Sequence, residues 1–219
     1  MSALKEENYN PLENFKYQII GGKIISMAPL ADQDHGITSQ GLSYIFTDYL
    51  RRKNCKKCRV YHDNAYLRLD IIAKEKNIKL PKDCKNDKFR PDVMVVCDKS
   101  IDTLEGVIGA PKLVVEVSSK GTVEYDITTK KEVYALIGVE EYWIVSPYSK
   151  TIEIYVLDNG VYNLYGAYYK YEKREIEAIE EEKEYLKKGG LEIITEFSPY
   201  SFPDLKIKVD DVFDDLIGE

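Results

Sequence analysis

RPDVMVVCD (90–98), GAPKLVVEVSS (109–119) and YDITTKKEVYALIGVEEYWIVSP (125–147) decide the fold of this chain. The first two each hold a short, almost wholly apolar run: DVMVVC at 92–97, entered by Pro91, and KLVVEVS at 112–118, entered from Gly109-Ala110-Pro111. Strands apolar on both sides belong in the middle of a sheet that is covered on both faces. The third stretch predicts a helix over 124–138, stopped by Gly138, and then the strand EEYWIVS at 140–146. Mixed strands around a central helix predict an α/β or α+β architecture.

Two acids stand inside these apolar runs. Asp92 starts one strand, and Glu116 interrupts the other within LVVEV. An ionised carboxylate there is costly unless it is paired or binds a metal. Taken singly, Asp92 could cap a turn after Pro91, and Glu116 could lie on the open side of an edge strand. Taken together, at the ends of adjacent strands, they converge as oxygen ligands for a hard divalent cation such as Mg²⁺ or Mn²⁺. A phosphodiester bound beside such an ion is polarised, and a coordinated water becomes a stronger nucleophile.

A cation follows on the helix, where Lys130 and Lys131 are adjacent. Counting about 100° per residue from Ile127 places Val133, Ile137 and Tyr134 between about 240° and 340°, with Lys130 near 300° and Lys131 near 40°. Lys130 therefore sits in the middle of the apolar arc and should reach Glu116. Lys131 lies at the edge of the arc and should point to solvent.

Outward from this centre, residues 16–27, KYQIIGGKIISM, predict a hairpin turning at Gly21-Gly22. Asp34 to Leu50 predicts a helix. Residues 58–70 predict one strand, or two broken at Asp63-Asn64, and the lysine-rich stretch 73–90 a surface loop. TIEIYVL at 151–157 and residues 161–169 are further strands, and 172–188 is a charged helix. LKIKV at 205–209 precedes an acidic end.

The 219 residues suit a single domain over 1–219. No apolar run approaches the ~18 residues of a membrane span. The N-terminus lacks the basic-then-apolar pattern of a signal peptide, so the expected location is cytoplasmic. A net charge of −7 disfavours a nucleic-acid partner. Residues 51–59, RRKNCKKCR, nevertheless concentrate positive charge, either as a local basic face or as a solvated helix end and turn. Cys55 and Cys58 form a C-x2-C without a second close pair, so neither a structural zinc nor a disulfide is expected, and Cys97 reads as a buried small hydrophobe. Eighteen tyrosines suit strand packing, and also base stacking.

The stretch from Arg90 to Pro147 resembles the Uma-two family of restriction-endonuclease-like proteins, within the PD-(D/E)XK nuclease superfamily. YQIIGGKIISMAP (17–29), His35, CRVY (58–61), TIEIYVL (151–157) and SFPDLKIKVDDVF (201–213) match as well. The match is weak over about 165–195. The resemblance implies the α/β alternative and a restriction-endonuclease-like core, a central mixed sheet flanked by helices, with an N-terminal hairpin. It makes Asp92 the acid of PD and Glu116 the acid of E-x-K. The lysine of E-x-K is replaced here by Ser118 and is carried instead on the following helix, where Asp126-x3-Lys130 matches the migrated pattern. The hairpin, where the family carries acids, has Gln18, Gly21 and Lys23. The implied activity is Mg²⁺- or Mn²⁺-dependent hydrolysis of nucleic acid, DNA in the first place, by Asp92, Glu116 and Lys130. His35 and Asp126 are auxiliary candidates, although a capping role suits His35 as well. A homodimer follows if both strands of a duplex are cut. A nuclease-fold protein that binds nucleic acid or a protein without cleaving is the alternative.

Overall fold

The computed structural model describes residues 17–20, 23–26, 33–81, 84, 88–118, 126–181 and 193–216. The N-terminal hairpin forms as expected, β1 (Tyr17–Ile20) pairing antiparallel with β2 (Lys23–Ser26). Helix α1 (Gln33–Arg52) follows. The stretch 58–70 breaks into β3 (Arg59–His62) and β4 (Leu67–Arg68), with Asp63 at φ 48° between them.

The stretch 73–90 is not simply a surface loop. Helix α2 (Leu69–Glu75) runs into it and β5 (Lys88–Phe89) ends it. Leu80, Cys84 and Phe89 are buried there. These few apolar residues, spaced among lysines, show no periodicity, and tertiary packing alone turns them inward.

The centre is a six-stranded mixed sheet, in order β12-β11-β10-β9-β6-β3. It comprises β6 (Val93–Val96), β9 (Leu113–Val117), β10 (Glu141–Ser146), β11 (Thr151–Asp158) and β12 (Val161–Tyr169), with β3 at one edge. Within this sheet, among the described residues, β9 and β10 are the parallel pair. The connection between them contains helix α3, π-helical over Asp126–Lys130 and α-helical over Lys131–Ile137, and Gly138 ends it at φ 88°. Short strands β7 (Asp102–Thr103) and β8 (Gly106–Val107) join β4 and β5 in a second sheet.

Both faces of the main sheet are buried at its centre, over β6, β9 and β10, as the apolar runs require. Val93, Val95, Val115, Val117, Trp143 and Val145 pack with Leu42 and Phe46 of α1 and with the C-terminal segment. Met94, Val96, Val114, Tyr142 and Ile144 pack with α3 residues Val133, Tyr134 and Ile137 and with α2 residues Leu69 and Ile72. Helix α4 (Lys173–Glu181) carries the charged stretch; Glu172 precedes it, and 182–188 of the expected helix lie outside the described residues. The C-terminal segment adds β13 (Glu196–Phe197), β14 (Ile207–Lys208) and α5 (Asp210–Phe213).

One cysteine expectation is corrected. Cys58 and Cys97 form a disulfide, and Cys97 is only half-buried. The antiparallel register Arg59↔Val96, carried one residue outward, sets the two directly opposite on β3 and β6. Sequence separation concealed the pair, because only strand pairing brings residues 39 apart together.

Candidate active site

Register makes the site. In the β6–β9 pair, Val93 faces Val115, Met94 faces Val114 and Val95 faces Leu113. One step further, Asp92 lies opposite Glu116, and directly opposed residues of antiparallel strands share a sheet face. The ladder opens at this point: the Val117 amide donates to Asp92 Oδ2 at 2.7 Å. On the other side of Asp92, its carbonyl accepts the Asp63 amide, extending the pairing with β3. Glu116 lies between two strands rather than at an edge, with Ile144 of β10 as its parallel neighbour.

Both acids are buried, Asp92 at 5% exposure and Glu116 at 1%, and so is Lys130 at 4%. Lys130 Nζ donates to Glu116 Oε2 at 2.8 Å, as its place in the apolar arc of α3 predicts. The Tyr134 hydroxyl, one helical turn on, donates to Glu116 Oε1 at 2.6 Å. One helix therefore holds both oxygens of the carboxylate through an i,i+4 pair. Tyr134 was read from sequence only as part of the apolar stripe, since spacing does not reveal where a hydroxyl ends. Phe89 packs edge-on against its ring and Tyr142 packs tilted to it.

Lys131 departs from expectation. It is half-buried, with Nζ 3.3 Å from the centroid of the Tyr155 ring, and desolvation holds its ammonium below the ordinary pKa. A cation over an aromatic face keeps its charge without leaving the surface.

His35 also departs from the capping role. It lies in the first turn of α1 and puts Nε2 3.3 Å from Asp92 Oδ2. Burial opposes a charge on the imidazole. The hydrogen bond and charge of Asp92, with Glu116 behind, outweigh it and raise the His35 pKa. Burial likewise opposes the Asp92 charge, but His35, Lys130 and the Val117 amide prevail and pull its pKa down. The second histidine, His62, bonds Ser39 Oγ at 3.1 Å. Since that hydroxyl also donates to the Gly36 carbonyl, His62 Nε2 is the donor.

Beside Asp92, Arg90 stacks on Tyr66 at 4.8 Å and lies 3.6 Å from Asp63. From sequence, Asp63 marked only a strand break and Tyr66 had no role, because the turn at Asp63 is needed to bring them here. The side chain of Asp126 lies outside the described residues. The basic segment 51–59 is remote: it occupies the far end of α1 and the start of β3, opposite the end of the sheet that holds Asp92. Arg52, Lys53 and Arg59 there pair with Asp48, Asp204 and Asp102, which favours the solvated-end reading.

Among the described residues no group of three or more His, Cys, Asp or Glu side chains could hold a metal. The oxygen donors here are the carboxylates of Asp92 and Glu116, opposed in register. Two carboxylates fit Mg²⁺ or Mn²⁺, which keep water and substrate phosphate as their remaining ligands.

Comparison with known proteins agrees with this fold. A solved structure described as a "putative nuclease belonging to DUF820 from Anabaena variabilis ATCC 29413" superposes with a TM-score of 0.59 at 14% identity, covering 92% of this chain and 91% of that one. It shares the fold, a mixed sheet flanked by helices of the restriction-endonuclease-like kind. No curated protein matches the chain. The family model described as "Uma2: Putative restriction endonuclease" matches residues 6–182, and the chain belongs to that family.

Proposed function

We propose that the protein is a divalent-metal-dependent endonuclease that hydrolyses phosphodiester bonds of DNA. The observation that carries this reading is the opposition of Asp92 and Glu116 on neighbouring strands, with the Lys130 ammonium bonded to Glu116. Asp92 and Glu116 would hold Mg²⁺ or Mn²⁺. Bound there, the ion supplies polarisation of the phosphodiester and a water of lowered pKa.

The chain's own residues do the rest. Lys130 offsets charge developing on the phosphoryl oxygens, from a buried position where electrostatic interactions are strong. Tyr134 fixes the orientation of the Glu116 carboxylate. His35 is the most open of these groups, with a side chain 21% exposed, and holds Asp92 Oδ2 from the solvent side. Cleavage of both strands of a duplex requires two such sites, which a homodimer provides.

One observation favours the non-cleaving alternative. Both Glu116 oxygens already accept hydrogen bonds from Lys130 and Tyr134, which weakens their call on a metal. The two readings separate in one assay. Supercoiled plasmid and single-stranded DNA and RNA are incubated with Mg²⁺ or Mn²⁺, beside Mn²⁺ titration of the protein. Metal-dependent nicking by the wild type, absent in Asp92→Ala, and Mn²⁺ binding lost in Glu116→Ala are expected. Nucleic-acid binding without cleavage or metal uptake would establish the alternative. Equal cleavage by Asp92→Ala would remove this site from the chemistry.

A further inference from the structure

At the end of the sheet away from Asp92, three cysteines gather. Cys97 is five residues along the same strand, about 16 Å by strand rise. Its partner Cys58 is cross-linked to it, and Cys55 is a free, half-buried thiol three residues earlier. All three pack at the border of the core on the α1 face. Cys55 and Cys58 also line one cleft of about 420 Å³, walled by Leu50, Arg51, Lys56 and Val60, whereas Cys97 does not line it. Asn54, at φ 49°, turns the chain out of α1 and into this wall. A free thiol and one sulfur of a disulfide thus share a cleft, at the C-x2-C spacing that closes readily into a small ring.

We propose that this cleft is a thiol–disulfide exchange site, in which the Cys55 sulfur attacks Sγ of Cys58 and releases Cys97. One S–S bond forms, between Cys55 and Cys58, as the Cys58–Cys97 bond breaks. The proton lost by Cys55 is taken up by Cys97, and no oxidant or reductant is consumed. Attack falls on Cys58 because it lines the cleft, and Cys97, the other sulfur of that bond, is the leaving group. The exchange moves the cross-link from between β3 and β6 into the loop after α1, and so unfastens an edge strand from the strand that bears Asp92. The proposal does not depend on nuclease activity.

The test is disulfide mapping of the folded full-length chain. Protein purified without reductant is incubated near pH ~8, where exchange through thiolates proceeds, then acid-quenched, alkylated and digested unreduced. The wild type is expected to yield Cys58–Cys97 together with a Cys55–Cys58 peptide above about one part in a hundred, Cys97 being alkylated in the second form. Cys97→Ser, given oxidised glutathione as oxidant, should form Cys55–Cys58, and Cys55→Ser should hold Cys58–Cys97 alone. Cys84, fully buried in the other core cluster, serves as the unreactive control. Absence of the Cys55–Cys58 peptide from both the wild type and Cys97→Ser would overturn the proposal. So would a folded wild type without any Cys58–Cys97 bond.

Discussion

Glu116 is held by two donors from one helix, and the two donors do different work. Lys130 supplies charge and Tyr134 supplies direction. Removing Lys130 takes the bonded cation from a buried carboxylate, so Lys130→Ala should destabilise by about 3–5 kcal/mol as well as abolish cleavage. Lys131→Ala exposes the Tyr155 ring but leaves Glu116 untouched, and should keep most of the activity. Plasmid nicking beside urea unfolding checks both. An inactive Lys131→Ala with an active Lys130→Ala would reverse the assignment. Tyr134→Phe retains the ring packing and loses one hydrogen bond to a charged group, which costs about 1.5–3 kcal/mol. Its diagnostic readout is Mn²⁺ affinity, which should change in Tyr134→Phe and stay at the wild-type value in Lys131→Ala. Apolar spacing along α3 was enough to choose Lys130 over Lys131. It did not reveal Tyr134 or His35 as partners of the acids, since each reaches its carboxylate across a gap that only packing closes.

Among the elements, β6 links both ends of the molecule's chemistry. Its first neighbour, Asp92, belongs to the acid pair, and its last neighbour, Cys97, belongs to the cross-link. The disulfide closes a separation of 39 residues, for which chain entropy predicts about 3–4 kcal/mol of stabilisation. Cys97→Ser, or reduction of the wild type, should lower the urea midpoint accordingly, with the slope changed by a more expanded unfolded state. An unchanged midpoint on reduction would mean that β3 and β6 gain nothing from the bond. Helix α3 shows the other limit of sequence reading. Its end at Gly138 was evident, because a left-handed residue is needed there and glycine supplies it. Its π-helical first turn was not, because a wider turn has no residue preference of its own. Such turns occur often at functional sites, and here the π-turn ends at Lys130.

At the scale of the whole molecule, a third buried acid fastens the C-terminal segment. Glu141, 0% exposed, accepts the Trp143 indole and the Tyr200 amide at Oε1 and the Ser201 amide at Oε2. It is at the opposite end of the sheet from Glu116, paired in register with Leu113, and its role is structural. Burial outweighs these three donors and holds its carboxyl pKa above the ordinary 4.5. For such an acid the native state binds more protons than the unfolded state between the two pKa values. Its contribution to stability is therefore complete below about pH 4.5 and declines as pH rises through the native value. Glu141→Gln should remove that decline. Urea unfolding followed by the fluorescence of Trp143, the only tryptophan, should show the stability gap between wild type and Glu141→Gln shrinking as pH rises from about 4 to 8. A constant gap would mean that Glu141 does not titrate in this range.

The chain's sequence determined its class and the centre of its sheet by itself. Apolar runs at 92–97 and 112–118 had to be interior strands, and a carboxylate inside each had to find a partner, because burial of an unpaired charge is too costly. Helical periodicity then determined which lysine faced the sheet. The tertiary structure decided everything that depends on register and long-range approach: the opposition of Asp92 to Glu116 and of Cys58 to Cys97, the arrival of His35 at Asp92, and the burial of Leu80, Cys84 and Phe89 in a stretch that reads as polar. Local preference acts along the chain over a few residues, whereas these contacts join distant residues, 39 positions apart in the case of the two cysteines.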